Sequence, residues 1–281
     1  MLAVPVNSFR FQYHNFGATP ATTPGTSIIP GASDVEGDWT EIAGDANITQ
    51  DILYIILWVH SGATAAQDKS HLLDVGWDVA GGTDYVEKIS NIICGQSTSP
   101  APSNGIYIHF PCYIPAGSSI AVRVQGANAT AETVFVVARF FGQPTRTEAW
   151  RTAQHFETIG TITNSQGVSF TPGNSGADGT WVSLGTTIRS LWWWQLCIQC
   201  SNNSVSSLAY QFDLAYGDSS NKHFVVQNLY ARLTTSEQIG WNHLMVSSIC
   251  EVPAGAELWV RGTCSGTAST GWNAVAIGAG G

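Results

Sequence analysis

Cys197 and Cys200 stand three residues apart in Cys197-Ile198-Gln199-Cys200, the spacing of a zinc-binding pair. A structural zinc site needs about four such ligands, and the chain holds no second pair at this spacing. The two cysteines also lie in an alternating stretch, where residues three apart leave a strand on opposite faces. Seven histidines (His14, His60, His71, His109, His155, His223, His243) are scattered, with no HExxH pair, and there is no GxSxG turn to carry a nucleophile. Asp34, Glu36 and Asp38 form an acidic loop whose oxygens could ligate calcium. Asp78 and Asp213 each precede a glycine, Gly82 and Gly217, by the same four residues. A glycosidase needs two carboxylates flanking one bond, about 5–10 Å apart, so isolated aspartates read better as turn-stabilising groups. No catalytic residue, metal site or cofactor is expected, and the chain is not expected to be an enzyme.

The elements that would have to position such groups are legible first in composition. Of 281 residues, 44% are apolar and only 11% are Asp, Glu, Lys or Arg, against about 25% charged in an average soluble domain. A subunit whose surface is covered by neighbours can dispense with charge in this way. The net charge is −9, with lysine only at 69, 88 and 222, so no basic patch exists to neutralise a phosphate backbone, and direct nucleic-acid binding is not expected. The start, Met1-Leu2-Ala3-Val4-Pro5-Val6, has neither a basic leader region nor an apolar run of signal-peptide length. No apolar run approaches the roughly 20 residues of a membrane span. Membrane association is not expected, synthesis in a cytoplasm is, and the six cysteines are then expected to be reduced and mostly buried.

The strongest signal is an internal repeat. Residues 25–42, GTSIIPGASDVEGDWTEI, align without gaps on 167–184, GVSFTPGNSGADGTWVSL, pairing Gly25 with Gly167, Pro30 with Pro172 and Trp39 with Trp181. In this register Asp34, Glu36 and Asp38 meet Gly176, Asp178 and Thr180, so a calcium loop is not shared. Asp78-Val-Ala-Gly-Gly82 lines up with Asp213-Leu-Ala-Tyr-Gly217, and Cys112-Tyr-Ile-Pro-Ala-Gly117 with Cys250-Glu-Val-Pro-Ala-Gly255. Fixed order with changing spacing implies two copies of one fold. The expected division is an N-terminal arm at 1–16, copy one at 17–143, a linker at 144–156 and copy two at 157–281. The arm carries Phe9, Phe11, Tyr13 and Phe16, and is read as an extended segment able to lie on a neighbouring subunit.

Within each copy apolar residues alternate, as half-buried strands require. Leu208-Ala-Tyr210-Gln-Phe212-Asp-Leu214 and Ile120-Ala-Val122-Arg-Val124 are examples. The Pro-Ala-Gly turns at 115–117 and 253–255 each introduce such a strand. Many short strands with no helical stripe predict an all-β chain of two tandem jelly-roll-like β-sandwich domains, about eight strands each. Parity places Trp193 on the face of Gln195 and Gln199, and Trp259 beside Arg261, both pointing outward from their cores. Outward aromatics beside arginine are enriched at protein interfaces. The segment Ile52–Val59 is apolar on both parities, as if both its faces were covered.

The paired segments IPAGSSIAVRVQ (114–125) and VPAGAELWVRGT (252–263), the aromatic arm and the lysine-poor, Ser/Thr/Gly-rich composition resemble accessory β-sandwich proteins of tailed-phage virions, such as capsid decoration, cement or head-spike proteins. The resemblance implies a structural virion protein, made in the host bacterial cytoplasm, that clamps neighbouring shell subunits. It implies major capsid or other virion proteins as partners, and a homo-oligomer such as a trimer. Phe9, Phe11, Tyr13, Phe16, Trp193, Trp259 and Arg261 are the interface candidates. The alternative is a carbohydrate-binding adhesin, spike or tail component using exposed tryptophans as sugar platforms.

Overall fold

The computed structural model describes residues 12–16, 25–61, 71–94, 106–126, 133–143, 152–162, 166–200, 208–232, 239–241, 245–246, 250–268 and 272–281. The alternating stretches form strands, and the described residues are all-β apart from a single 3-10 turn at Asp45–Asn47. In the first half these are β1 (Gln12–Phe16), β2 (Thr26–Ile28), β3 (Thr40–Ala43), β4 (Asp51–Ser61), β5 (His71–Asp78), β6 (Val86–Ile93), β7 (Ile106–Ile114), β8 (Ser119–Gly126) and β9 (Val134–Gln143). In the second half they are β10 (His155–Ile159), β11 (Thr161–Ile162), β12 (Gln166–Phe170), β13 (Val182–Thr186), β14 (Trp193–Cys200), β15 (Ala209–Gly217), β16 (Lys222–Arg232), β17 (Ile239–Trp241), β18 (Met245–Val246), β19 (Glu257–Cys264) and β20 (Trp272–Gly280).

In copy one the sheet β2-β9-β4-β7 packs on β3-β8-β5-β6. In copy two β12-β20-β14, with β17 and β18 beyond, packs on β13-β19-β15-β16. Counting the strands of each copy from β2 and from β12, and taking β17 and β18 as one because both pair with β14, both sandwiches have the order first-eighth-third-sixth over second-seventh-fourth-fifth, which is the jelly roll. The copies agree in detail. The ladder slips at Glu41/Ala43 between β3 and β8, and at Ser183/Gly185 between β13 and β19. Each Pro-Ala-Gly turn closes with the glycine at positive φ, 80° at Gly117 and 78° at Gly255, and leads into β8 or β19. That conformation places glycine at the third corner of a type II turn, where a side chain would be strained.

The core of copy two gathers Trp194, Leu196 and Ile198 of β14, Tyr210 and Phe212 of β15, and Trp272, Ala274 and Ala276 of β20. Tyr210 and Phe212 lie 4.5 and 5.0 Å from the Trp272 ring, each such aromatic pair being worth about 0.5–1.5 kcal/mol beyond its buried area. The core of copy one does not end at its own strands. It continues into Trp193, Cys197, Val275, Ile277 and Ala279, the opposite parity of β14 and β20. The central strands of copy two are therefore buried on both faces. One face serves its own sandwich, and the other covers the side of copy one edged by β6 and β7. β6 lies against β10, β14 and β20. The Phe110 ring, on β7, sits 5.6 Å from Trp193 and 5.7 Å from Phe156, the Thr158 hydroxyl donates to the Ser90 carbonyl, and the Ala153 N–H donates to the Pro111 carbonyl at 3.2 Å.

This packing corrects three expectations. Gln12–Phe16 is not a free arm: β1 pairs with β9 from Gln12↔Gly142 to Phe16↔Ala138, as β10 pairs with β20 from His155↔Gly280 to Ile159↔Ala276. The duplication thus reaches back into the expected arm, and β10 begins inside the expected linker. Phe9 and Phe11 lie outside the described residues. Asp213 is not the counterpart of Asp78. Asp74 and Asp213 each stand opposite an arginine, Arg123 and Arg261, in the ladder. Each also accepts, at 2.7 Å, the backbone N–H of an asparagine at positive φ, Asn91 or Asn228. Asp78 instead binds the N–H groups of Ala80 and Asp84 in its turn. Finally, the segment covered on both faces is not Ile52–Val59 but its counterpart in copy two.

Candidate functional site: the outer faces of the two sandwiches

The sheet β13-β19-β15-β16 turns one face to its core and the other outward. On the outward face Trp259 stands opposite Ser183 and Ala215, and Arg261 opposite Asp213, so the alternation read from the sequence holds for both. Trp259 is half-buried, and its indole N–H donates to the Gly217 carbonyl at 2.8 Å. Lys222 Nζ lies 4.3 Å from the Trp259 ring. The Arg261 guanidinium lies 4.5 Å from Trp181 and 5.9 Å from Phe224. The guanidinium is held from below by Asp213 (2.8 Å) and from the loop by Asp178 (2.6 Å). Trp181, Phe224, Trp259, Lys222 and Arg261 thus form one aromatic and cationic surface, with Phe224 42% exposed. Trp181, Phe224 and Lys222 were not among the sequence candidates. Trp181 was visible as a repeated tryptophan, whereas the inclusion of Phe224 and Lys222 depends on strand pairing.

Copy one uses the same framework differently. Arg123 lies 4.6 Å from Trp39 and binds three carboxylates, Asp74 at 2.9 Å, Glu36 at 2.6 Å and Glu87 at 2.5 Å. The three acids could be taken for a cation site, but the guanidinium sits among them and satisfies each. Glu36 of the acidic loop 34–38 is committed here. Burial is the largest influence on Asp74 and pushes its carboxyl up to about 6, with Glu87 adding to the rise while Asn91 and Arg123 oppose it. The ladder places Glu87 where copy two has Phe224, and Ala121 where it has Trp259. An ionic cluster in one copy is matched by an aromatic surface in the other.

Trp193 belongs to neither surface. It points away from its own core, as its parity predicts, but is only 4% exposed because copy one lies over it. That removes it from the accessible interface candidates, since a contact within the chain already fills the face. Tyr13 and Phe16 are held on β1, opposite Phe141 and Ala138. Cys94, Cys112, Cys197 and Cys264 are buried free thiols. Burial raises the Cys94 and Cys112 thiols and pushes that of Cys197 up to about 12.

No protein-family model matches the chain, and no curated protein matches it. Among solved structures the chain is similar to PNGF-II, at 8% identity and a TM-score of 0.37 over 95% of this chain and 65% of that one. The chain thus spans just under two thirds of PNGF-II. It is also similar to the cowpea mosaic virus top component (9%, TM-score 0.31, 91% and 92%). A third is the N-terminal CBM22-1-CBM22-2 tandem domain from Paenibacillus barcinonensis Xyn10C (9%, TM-score 0.28, 97% and 92%). With TM-scores this low, these likenesses carry no inference about function.

Proposed function

We propose that this chain is a non-enzymatic structural protein of a tailed-phage virion that decorates the shell and clamps neighbouring shell subunits. The observation that carries the reading is the aromatic and cationic surface of copy two, present where copy one has a closed ionic cluster. Interface hot spots concentrate in Trp, Tyr and Arg packed among neighbours that exclude water, and Trp181, Trp259 and Arg261 are held in that manner. Duplication followed by divergence of one face suits a protein that meets two different surroundings. The low charge content suits one largely covered by other chains. The test is co-sedimentation of the purified protein with empty phage shells. The wild type is expected to bind at a fixed stoichiometry, and a Trp259→Ala, Phe224→Ala double variant to lose most of that binding while keeping its β-sheet circular dichroism. Undiminished binding by the variant, or none by the wild type to any shell, overturns the reading.

The alternative of carbohydrate binding rests on the same tryptophans. Lys222 and Arg261 over the rings of Trp259 and Trp181 already use ring faces that a sugar would need. A glycan array, with quenching of tryptophan fluorescence as the second readout, decides between the two.

A further inference from the structure

The edge strands β6 and β16 carry the same bulge in different surroundings. Ser90 and Asn91 of β6 together oppose Asp74 of β5, and Gln227 and Asn228 of β16 together oppose Asp213 of β15. Each asparagine holds positive φ, 56° at Asn91 and 57° at Asn228, and gives its N–H to that aspartate. In copy one the bulge is a docking element. β6 lies against β10, β14 and β20 of copy two, and the Thr158 hydroxyl donates to the Ser90 carbonyl. Ser90 and Asn91 are half-buried there, and Ile93 is fully buried. A bulge ordinarily guards an edge against strand pairing; this one is covered by a sheet face and not by a strand.

In copy two the same positions are open. Gln227 and Asn228 are exposed, and Tyr230, standing where copy one has Ile93, is 57% exposed. Among the described residues β16 ends its sheet and pairs on one side only, with β15. Phe224 of the same strand lies 6.0 Å from Trp181 and joins this edge to the aromatic surface. β16 also has a charge of its own. Lys222 and His223 stand at one end and Arg232 at the other, with no Asp or Glu between them, in a chain of net charge −9. The Lys222 ammonium donates to the Asp218 and Ser219 carbonyls, while the Asp218 carboxylate accepts the Ser220 and Asn221 N–H groups.

We infer that the β16 bulge, Gln227–Asn228 with Tyr230 beside it, docks a sheet face of a different protein. That face carries a hydroxyl side chain for the Gln227 carbonyl, apolar side chains for Tyr230 and acidic side chains toward the basic strand ends. The covered bulge of copy one supplies the first two requirements, and the charge of β16 supplies the third. A second copy of this chain meets them poorly. Its equivalent face, the outer side of β14 and β20, is already buried against its own copy one. Two β16 strands laid antiparallel about Gln227 would set Lys222 opposite Arg232 twice, and like charges directly opposite are destabilising. The inference rests on the proposed structural role, with a shell subunit as the partner, and extends that role from the aromatic surface to the edge beside it.

Hydrogen exchange of the full chain, alone and with empty phage shells, tests it. In the free protein the β16 segment is expected to exchange faster than β6, and to slow when shells are added. Exchange of β16 as slow as that of β6 in the free chain would mean that the chain covers this edge itself, and overturns the inference. Tyr230→Glu, at an exposed position, is expected to keep its melting temperature and to weaken shell binding by about tenfold or more. Asn228→Val is expected to weaken binding similarly, because a β-branched residue is an outlier at positive φ, whereas Asn228→Gly keeps that backbone and should bind as the wild type does. Wild-type binding by Tyr230→Glu, with binding lost in the Trp259→Ala, Phe224→Ala variant, overturns this inference and leaves the structural role standing. Absence of shell binding by the wild type overturns both. Self-association of the wild type that Tyr230→Glu abolishes identifies a second copy as the occupant and overturns the inference as well.

Discussion

Replacing Trp193 by alanine probes the seam between the copies, because this indole leaves its own sandwich and is buried by the other one. An aromatic side chain buries about 150–250 Å², which at about 25 cal/mol per Å² corresponds to roughly 4–6 kcal/mol gross. Truncations of this kind cost about 3–5 kcal/mol once partial collapse of the cavity is included. We expect about 4 kcal/mol, since Trp193 is buried, packs on Phe110 and stands opposite Ala279 of β20. Urea unfolding followed by circular dichroism measures it. A double-mutant cycle with Phe110→Ala should return a coupling of about 1 kcal/mol, because the rings lie 5.6 Å apart. A loss below about 0.5 kcal/mol, the range of exposed positions, would refute the packing of the β14 outer face on copy one.

Three further outcomes follow from the ionic cluster and the thiols. Asp74 has a folded value near 6 against an ordinary 3.8, so the folded state holds a proton that the unfolded chain has released. Wild-type stability should therefore fall as pH rises from about 4 to about 6, by up to about 3 kcal/mol. Asp74→Asn should remove that slope, as read from urea midpoints across the window. Arg123→Met should destabilise by about 3 kcal/mol at neutral pH by leaving the buried Asp74 carboxylate without its counter-ion, and adding Asp74→Asn should restore part of it. Among the described thiols Cys250, which is half-buried, should react first with a thiol-specific dye. Cys94, Cys112 and Cys197 should react only on unfolding, because burial disfavours their thiolates.

The sequence showed that there are two copies and that they are built of strands, because glycine, proline and tryptophan recur at fixed spacing where turns and core demand them. It could not show that residues 12–16 repeat 155–159. That equivalence lies in pairing to β9 and β20, and pairing leaves little trace in a short strand's composition. The Asp78/Asp213 alignment failed for a related reason. An Asp followed four residues later by Gly is common turn chemistry, whereas the true match, Asp74, is marked only by standing opposite Arg123 across a ladder. Parity placed Trp193, Trp259 and Arg261 on the right sides of their strands. It could not say that Trp193 is covered by copy one while Trp259 is half-open, because an apolar outer face reads the same whether its cover comes from the same chain or another.

The sharing of one core between copies also sets an order of events during synthesis. Copy one is complete in sequence at β9, yet its β6–β7 side stays open until β20, more than a hundred residues later, has joined β14. At about 5–20 residues per second the nascent chain carries an exposed Phe110 and two unprotected edge strands for roughly 7–27 seconds. Early strand-to-strand pairing between neighbouring nascent chains is then the principal hazard for this protein. Copy one produced by itself would remain permanently in that condition.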